Sequence, residues 1–158
     1  MSLHNVLVFV HILAAFLMIG GITVQRFGLM SMRSASPGEV LGAYKTYATA
    51  PRVVDPSVPV MALSGLALAW EMGYSWRALW VSASVVLSVA LMIWRGAMVL
   101  PPLKPLEAAA LQAAADPAAH SGALLAAARH PKLHLGHLGI ELINGAILVL
   151  MIFKPMSL

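Results

Sequence analysis

The sequence contains no cysteine, and this absence excludes a whole group of sites. Disulfide bonds, thiolate-bound metals and cysteine-based redox chemistry all need the missing thiol. Charged residues are also scarce, since they make up 10% of the 158 residues, whereas a soluble domain has about 25%. Hydrophobic residues instead reach 60%, and the mean hydropathy is +0.85. This composition predicts an integral membrane protein.

The charge balance excludes little else. The formal net charge of +4 is modest, and in a membrane protein it is typical of cytoplasmic loops and not of nucleic-acid binding. We therefore expect no nucleic-acid partner. The N-terminus lacks both a basic segment and a small-residue cleavage site, so we expect a retained first helix and not a signal peptide.

Four apolar segments approach the roughly 20 residues that a membrane-spanning helix needs. We expect Pro101 and Pro102 to end the third, because proline removes a helical hydrogen bond. Pro131 suits the first turn of the fourth, and Lys154-Pro155 should end it. The predicted fold class is all-α: a polytopic membrane protein with a four-transmembrane-helix bundle in a single domain, 1–158. The helices are expected at about 5–24, 52–72, 76–100 and 131–153, with cytoplasmic links at 25–51 and 101–130.

Positive residues predict the orientation of the bundle. Only Arg77 and Lys154 lie on the side that carries the termini. Cytoplasmic loops are enriched in lysine and arginine, so the two long links should face the cytoplasm, with both termini outside. We expect the inner membrane of a bacterium. The links and their adjoining helix ends hold Arg26, Arg33, Lys45, Arg52, Arg95, Lys104, Arg129 and Lys132.

The last helix carries an unusual polar stripe. His130, His134, His137, Glu141 and Asn144 are spaced by three or four residues and so share one face. Ionisable groups inside a membrane helix are costly and often functional. Imidazole and carboxylate ligands predict a copper, zinc or iron site formed by the three histidines and the glutamate. The alternative is that His130 is exposed just before the helix, that His134 and His137 lie at headgroup level, and that the glutamate and asparagine bond to neighbouring helices.

Glu141 is the member of this stripe that most needs a partner. Counted from the same membrane side, Arg95 lies at a similar depth, and we expect the two to pair. One interpretation is an ion-pair network that holds the helices together. The other is a site for an anionic group, such as a haem propionate or a quinone headgroup, or a proton relay. The candidates for the network are Arg26, Arg52, Asp55, Arg95, Glu141 and Asn144.

The first helix carries a second pair of candidates. His4 and His11 are seven residues apart and therefore share one face. His11 should lie roughly 10 Å below the outer surface at 1.5 Å per residue. His137 lies near the opposite surface, so one haem between His11 and His137 is strained. We expect His4 and His11 to belong to one site, separate from that of the fourth helix, or His11 to bond to a neighbouring helix.

Several short motifs resemble a known group of membrane proteins. The resemblance rests on four segments: Val10-His11 to Gly20-Gly21, the Ser64-Gly65 pair, Ile93-Trp94-Arg95 and the ending Leu150 to Pro155. The chain resembles a bacterial four-helix integral membrane family of unknown function, which is related to copper-resistance-D-like proteins and to the membrane haem-dependent protoporphyrinogen oxidases. In the oxidase branch the first-helix histidine is associated with b-type haem. The resemblance thus implies a haem ligand at His11, and Gln25-Arg26-Phe27 echoes a segment of that branch.

Three functions follow from these patterns. The first is a haem-b-binding redox or electron-transfer protein with His11, His4, Arg26 and Arg95 at the cofactor; if it is an enzyme, it is a membrane oxidoreductase. The second is a copper or zinc handling protein that uses the fourth-helix stripe. The third is a non-catalytic accessory subunit of a membrane complex. The expected partners are the lipid bilayer, a second copy or a larger complex, and a quinone or porphyrin.

Overall fold

The computed structural model describes residues 2–75 and 78–153, which form seven α-helices and no strand. The all-α prediction is confirmed. Four helical stretches are long and apolar enough to cross a membrane. Three predicted features lie outside the described residues. They are the helix start at 76, the positive charge at 77 and the helix end at 154. The helices are α1 Leu3–Ser34, α2 Val40–Thr49, α3 Pro51–Glu71, α4 Leu79–Trp94, α5 Leu100–Ala115, α6 Pro117–Ala128 and α7 Pro131–Phe153.

The first predicted link, 25–51, is largely helical. Helix α1 continues ten residues beyond its predicted end, because Leu29 and Met32 extend its apolar face and are fully buried. The chain turns at Ser36-Pro37-Gly38 and then enters α2. At this turn the Glu39 carboxylate accepts hydrogen bonds from the Ser36 amide at 3.1 Å and from its hydroxyl at 2.7 Å. These bonds hold the pKa of Glu39 below its ordinary value and fix the start of α2.

The prediction that Pro101 and Pro102 end the third membrane helix is wrong. A π-helical turn, Arg95–Val99, follows α4 and leads directly into α5. In this turn the Leu100 N–H donates to the Arg95 carbonyl, one residue further back than in an α-helix. The wider turn leads into both prolines in the first turn of α5, and the helix accommodates them without a break. The helical stretch therefore runs unbroken from Leu79 to Ala115.

The helices pack as two pairs on a common base. Helix α1 lies along α3 (the first pair), and α4 lies along α7 (the second pair), whereas contact between the pairs is sparse. Helices α2, α5 and α6 form the base at one end. The main core lies there, with Leu29, Leu106, Leu124 and Leu133 completely buried. At the other end, which we call the terminal end, Trp80 packs near Leu150 and Met151.

Candidate functional site

A cavity of about 940 Å³ lies between the two helix pairs. Its volume is within the range of small-molecule and cofactor sites. On α1 it extends from His4 to Thr23, about 29 Å at 1.5 Å per residue, and most of its wall is apolar. Polar side chains interrupt this wall, among them His4, His11, Glu141 and Asn144. The sparse contact between the pairs is what leaves this space.

His11 lies on the cavity wall with its orientation fixed by the neighbouring helix. Its Nδ1 is 3.0 Å from the Met61 carbonyl oxygen and 3.2 Å from the Ser64 hydroxyl oxygen, both on α3. A carbonyl only accepts, so Nδ1 carries the proton and donates. In the neutral ring the Nε2 lone pair is then free, and in the part of the chain that the structure describes no hydrogen bond reaches it. This is the arrangement in which a histidine acts as a ligand.

Gly65 provides the room for this ring. A β-carbon at residue 65 would lie 2.9 Å from the His11 Cε1 atom and 3.3 Å from its Nδ1. Such contacts are too close for a packed interior, so any side chain would displace the imidazole. The Ser64-Gly65 pair thus serves His11 twice, since Ser64 accepts its hydrogen bond and Gly65 leaves space for it.

His4 has a partner of its own at the terminal end. Its Nδ1 donates to the Glu71 carboxylate at 3.0 Å, which joins the start of α1 to the end of α3. His4 and His11 both line the cavity. They are two turns apart, about 10 Å along α1, which is too far for both to bind one metal ion.

Glu141 does not pair with Arg95, so that prediction is wrong. Its Oε1 lies 3.4 Å from the Nε atom of Arg26 on α1. The same guanidinium donates from its NH1 to the Nδ1 of His134 at 3.0 Å. Because arginine has only donors, His134 accepts here and carries its own proton on Nε2. Arg95 was predicted as the partner because it lies at a similar depth in the membrane, but Arg26 is the residue that faces Glu141.

Arg95 instead pairs with Asp55. Its NH2 donates to the aspartate Oδ1 at 2.9 Å, and the two side chains are 41% and 50% exposed. The bond crosses from α3 to the π-helical turn and so ties the first pair to the second. Neither Arg95 nor Arg26 lines the cavity. Arg52 is exposed, and the predicted network is therefore two separate ion pairs.

The other histidines of α7 also have individual partners. His137 is 2% exposed, and its Nε2 lies 3.0 Å from the hydroxyl of Tyr47, which is 1% exposed. The two rings meet edge to face. His130 is exposed and precedes the helix, where its Nδ1 accepts from the Lys132 amide at 3.2 Å. Across residues 2–75 and 78–153, no three histidine, aspartate or glutamate side chains meet in a group that could hold a metal ion.

Asn144 lies one turn above Glu141 on α7. Its amide nitrogen donates to the Ile140 carbonyl of its own helix at 2.9 Å, and its side-chain oxygen is left to the cavity. The predicted stripe therefore divides. Glu141 and Asn144 join His4 and His11 at the cavity, while His134 and His137 hold α7 against α1 and α2.

Several residues of this arrangement were not predicted from the sequence. Tyr47 was assigned to a link, yet it is the partner of His137. Trp94 donates its Nε1 to the Gly136 carbonyl at 2.9 Å and covers Gly139 so closely that a β-carbon there would overlap the indole. The two glycines of Leu135-Gly136-His137-Leu138-Gly139 were the available signal, because small residues mark close helix approach.

Comparison with known proteins now places the chain in a family. A family model described as "Predicted integral membrane protein (DUF2269)" matches residues 5–155. The chain belongs to this family. No curated protein and no solved structure matches it. DUF2269 membership establishes an integral membrane protein, in agreement with the composition and with four apolar spans. The description of DUF2269 names no activity, cofactor or substrate.

Proposed function

We propose that this protein binds haem b in the cavity between its helix pairs, that His11 would hold the haem iron, and that the protein has a redox or electron-transfer role. The observation that carries the proposal is the fixed His11 ring on the wall of a 940 Å³ apolar cavity. Axial histidines typically donate their second nitrogen to a backbone carbonyl, as His11 does to Met61. Haem, when bound, supplies one-electron redox chemistry.

Different residues of this chain would contribute to holding haem. The Met61 carbonyl keeps Nε2 of His11 unprotonated and available, and Gly65 leaves room for the ring beside α3. The apolar wall would limit the access of water to a bound haem. His4, which also lines the cavity, would be the polar side chain nearest the terminal end of α1. The sequence predicts Arg26 and Arg95 at the cofactor, but neither lines the cavity, and each pairs with an acidic side chain.

The same proposal includes an orientation. We infer that the base formed by α2, α5 and α6 faces the cytoplasm of a bacterium and that the terminal end faces outward. The support is the distribution of charge, because eight of the ten lysines and arginines belong to the base and the helix ends beside it.

An optical spectrum tests the haem proposal. The protein, expressed with ample haem and purified, is expected to show a Soret band that His11→Ala removes. His130→Ala is the matched control and should keep the band, since His130 is exposed and does not line the cavity. A colourless wild type, or a band unchanged in His11→Ala, overturns the assignment.

A further inference from the structure

The cavity has a second polar end that the haem proposal does not use. Glu141 and Asn144 line it on α7, and Arg26, which holds Glu141, follows His11 by fifteen residues. That separation is about 22 Å along α1. The cavity is therefore long enough to present two distinct polar positions, one near His11 and one at Glu141.

Both side chains at this end offer hydrogen-bond acceptors. The Glu141 Oε1 faces Arg26, and within the described chain no partner reaches its Oε2. The Asn144 nitrogen is used by the Ile140 carbonyl, which leaves the side-chain oxygen. Residues three apart on a helix have Cβ atoms about 5–6 Å apart. The site thus has two acceptors at a spacing that suits a head with two donors.

The charge at this end has already been compensated. The guanidinium of Arg26 neutralises the Glu141 carboxylate, and its second bond goes to the neutral His134 ring. A cationic ligand would therefore meet Arg26 repulsion without a free negative charge to offset it. An uncharged donor avoids that cost. The apolar wall around it favours a lipid-soluble body.

We propose that Glu141 and Asn144 form a binding site for an uncharged, lipid-soluble molecule whose head donates two hydrogen bonds, a hydroquinone. The hydroxyl groups donate to the Glu141 carboxylate and to the Asn144 side-chain oxygen, and the tail lies along the apolar cavity. Arg26 is the positioning residue, because it fixes the carboxylate without touching the ligand. The site depends on the cavity and not on haem at His11.

Binding of three probes to the full-length protein in lipid nanodiscs tests this site. The probes are a decyl-tailed hydroquinone, its oxidised quinone and a monoacylglycerol of the same tail length. The quinone keeps the shape but loses both donors, so it should bind about tenfold more weakly or worse, since it loses one hydrogen bond to an amide oxygen and one charge-assisted hydrogen bond to a carboxylate. Equal affinity for hydroquinone and quinone overturns the proposal. Equal affinity for the monoacylglycerol overturns the choice of hydroquinone among lipid diols.

Two variants locate the site. Asn144→Leu removes one acceptor and leaves the Arg26–Glu141 pair in place, so hydroquinone should bind about fivefold more weakly while quinone affinity stays unchanged. Unchanged hydroquinone affinity in Asn144→Leu overturns the site. His11→Ala should retain hydroquinone binding even though it loses the Soret band. The haem proposal and the hydroquinone proposal therefore fail in different measurements.

Discussion

The imidazole of His11 occupies the space that a side chain at residue 65 would fill. A β-carbon on Gly65 would lie 2.9 Å from the His11 Cε1 atom, while the Met61 carbonyl one turn earlier holds the same ring at 3.0 Å. Helix α3 thus both orients the histidine and makes room for it. The relation joins a first-helix residue to a glycine on the neighbouring helix, and it makes the role of that glycine testable.

Gly65→Ala is expected to displace the His11 ring and to destabilise the protein by about 1–3 kcal/mol, the usual cost of overpacking. Gly20→Ala on α1 is the matched control, because nothing lies within 4 Å of its added β-carbon. Reversible unfolding of the purified protein in detergent measures both. If haem binds at His11, Gly65→Ala should also lower the Soret absorbance. Equal stability of the two variants would contradict the packing.

Arg26→Leu is expected to destabilise the protein by about 1–3 kcal/mol, because it leaves the Glu141 carboxylate and the His134 acceptor without their donor. Arg52→Leu is the control on an exposed arginine and should change stability by no more than about 0.5 kcal/mol. Adding Glu141→Leu to Arg26→Leu should recover part of the loss, since the double variant leaves no unpaired charge. Additive losses in this cycle would show that the two side chains do not interact.

Gly139→Ala should weaken the contact between α4 and α7, because its methyl group would overlap the Trp94 indole. We expect a loss of about 1–3 kcal/mol despite the better helix propensity of alanine. Gly145→Ala, on the same helix but with nothing within 4 Å, should instead gain up to about 1 kcal/mol. The opposite signs are the measurable result, and chemical unfolding with a tryptophan fluorescence readout reports them.

Ser36→Ala should raise the pKa of Glu39 toward its ordinary value, because the Ser36 hydroxyl is the largest cause of the lowered pKa. Since the folded-state pKa lies below the unfolded one, this carboxylate stabilises the turn above its unfolded pKa. That contribution is lost as pH falls through the folded pKa. Carboxyl NMR titration measures the shift. Ser34→Ala is the control, as the Ser34 hydroxyl bonds only to backbone carbonyls, and an unmoved Glu39 titration in Ser36→Ala would exclude this cause.

Hydropathy predicted the four apolar spans because each has a long apolar window, a property that depends on sequence alone. It predicted a link where helix is present, since Arg26 and Lys45 are polar. Arg26 lies on α1, which is longer than a bilayer of about 30 Å requires, and Lys45 lies on the short helix α2. The two adjacent prolines led to the wrong prediction that the helix ends there, because a π-helical turn that accommodates prolines has no sequence pattern of its own.

The pairing of charges shows the other limit of sequence reasoning. Counting residues gives the depth of Glu141, Arg26 and Arg95 but not the direction in which each helix face points. Depth alone therefore matched Glu141 with the wrong arginine. The partners of His11 were hidden for a different reason, since the Met61 acceptor is a backbone carbonyl and has no residue-type signature.

The π-helical turn at Arg95–Val99 also sets the rotational phase of everything that follows it. One extra residue in a helical turn rotates the downstream helix by about 100° relative to an uninterrupted α-helix. The base is built on the resulting phase, because Leu106 and Ala113 point into its core. Removing a single residue from this turn would restore the phase of an uninterrupted α-helix and rotate that apolar face out of the core. The length of the segment between Trp94 and Leu100 is thus as constrained as any side chain in it.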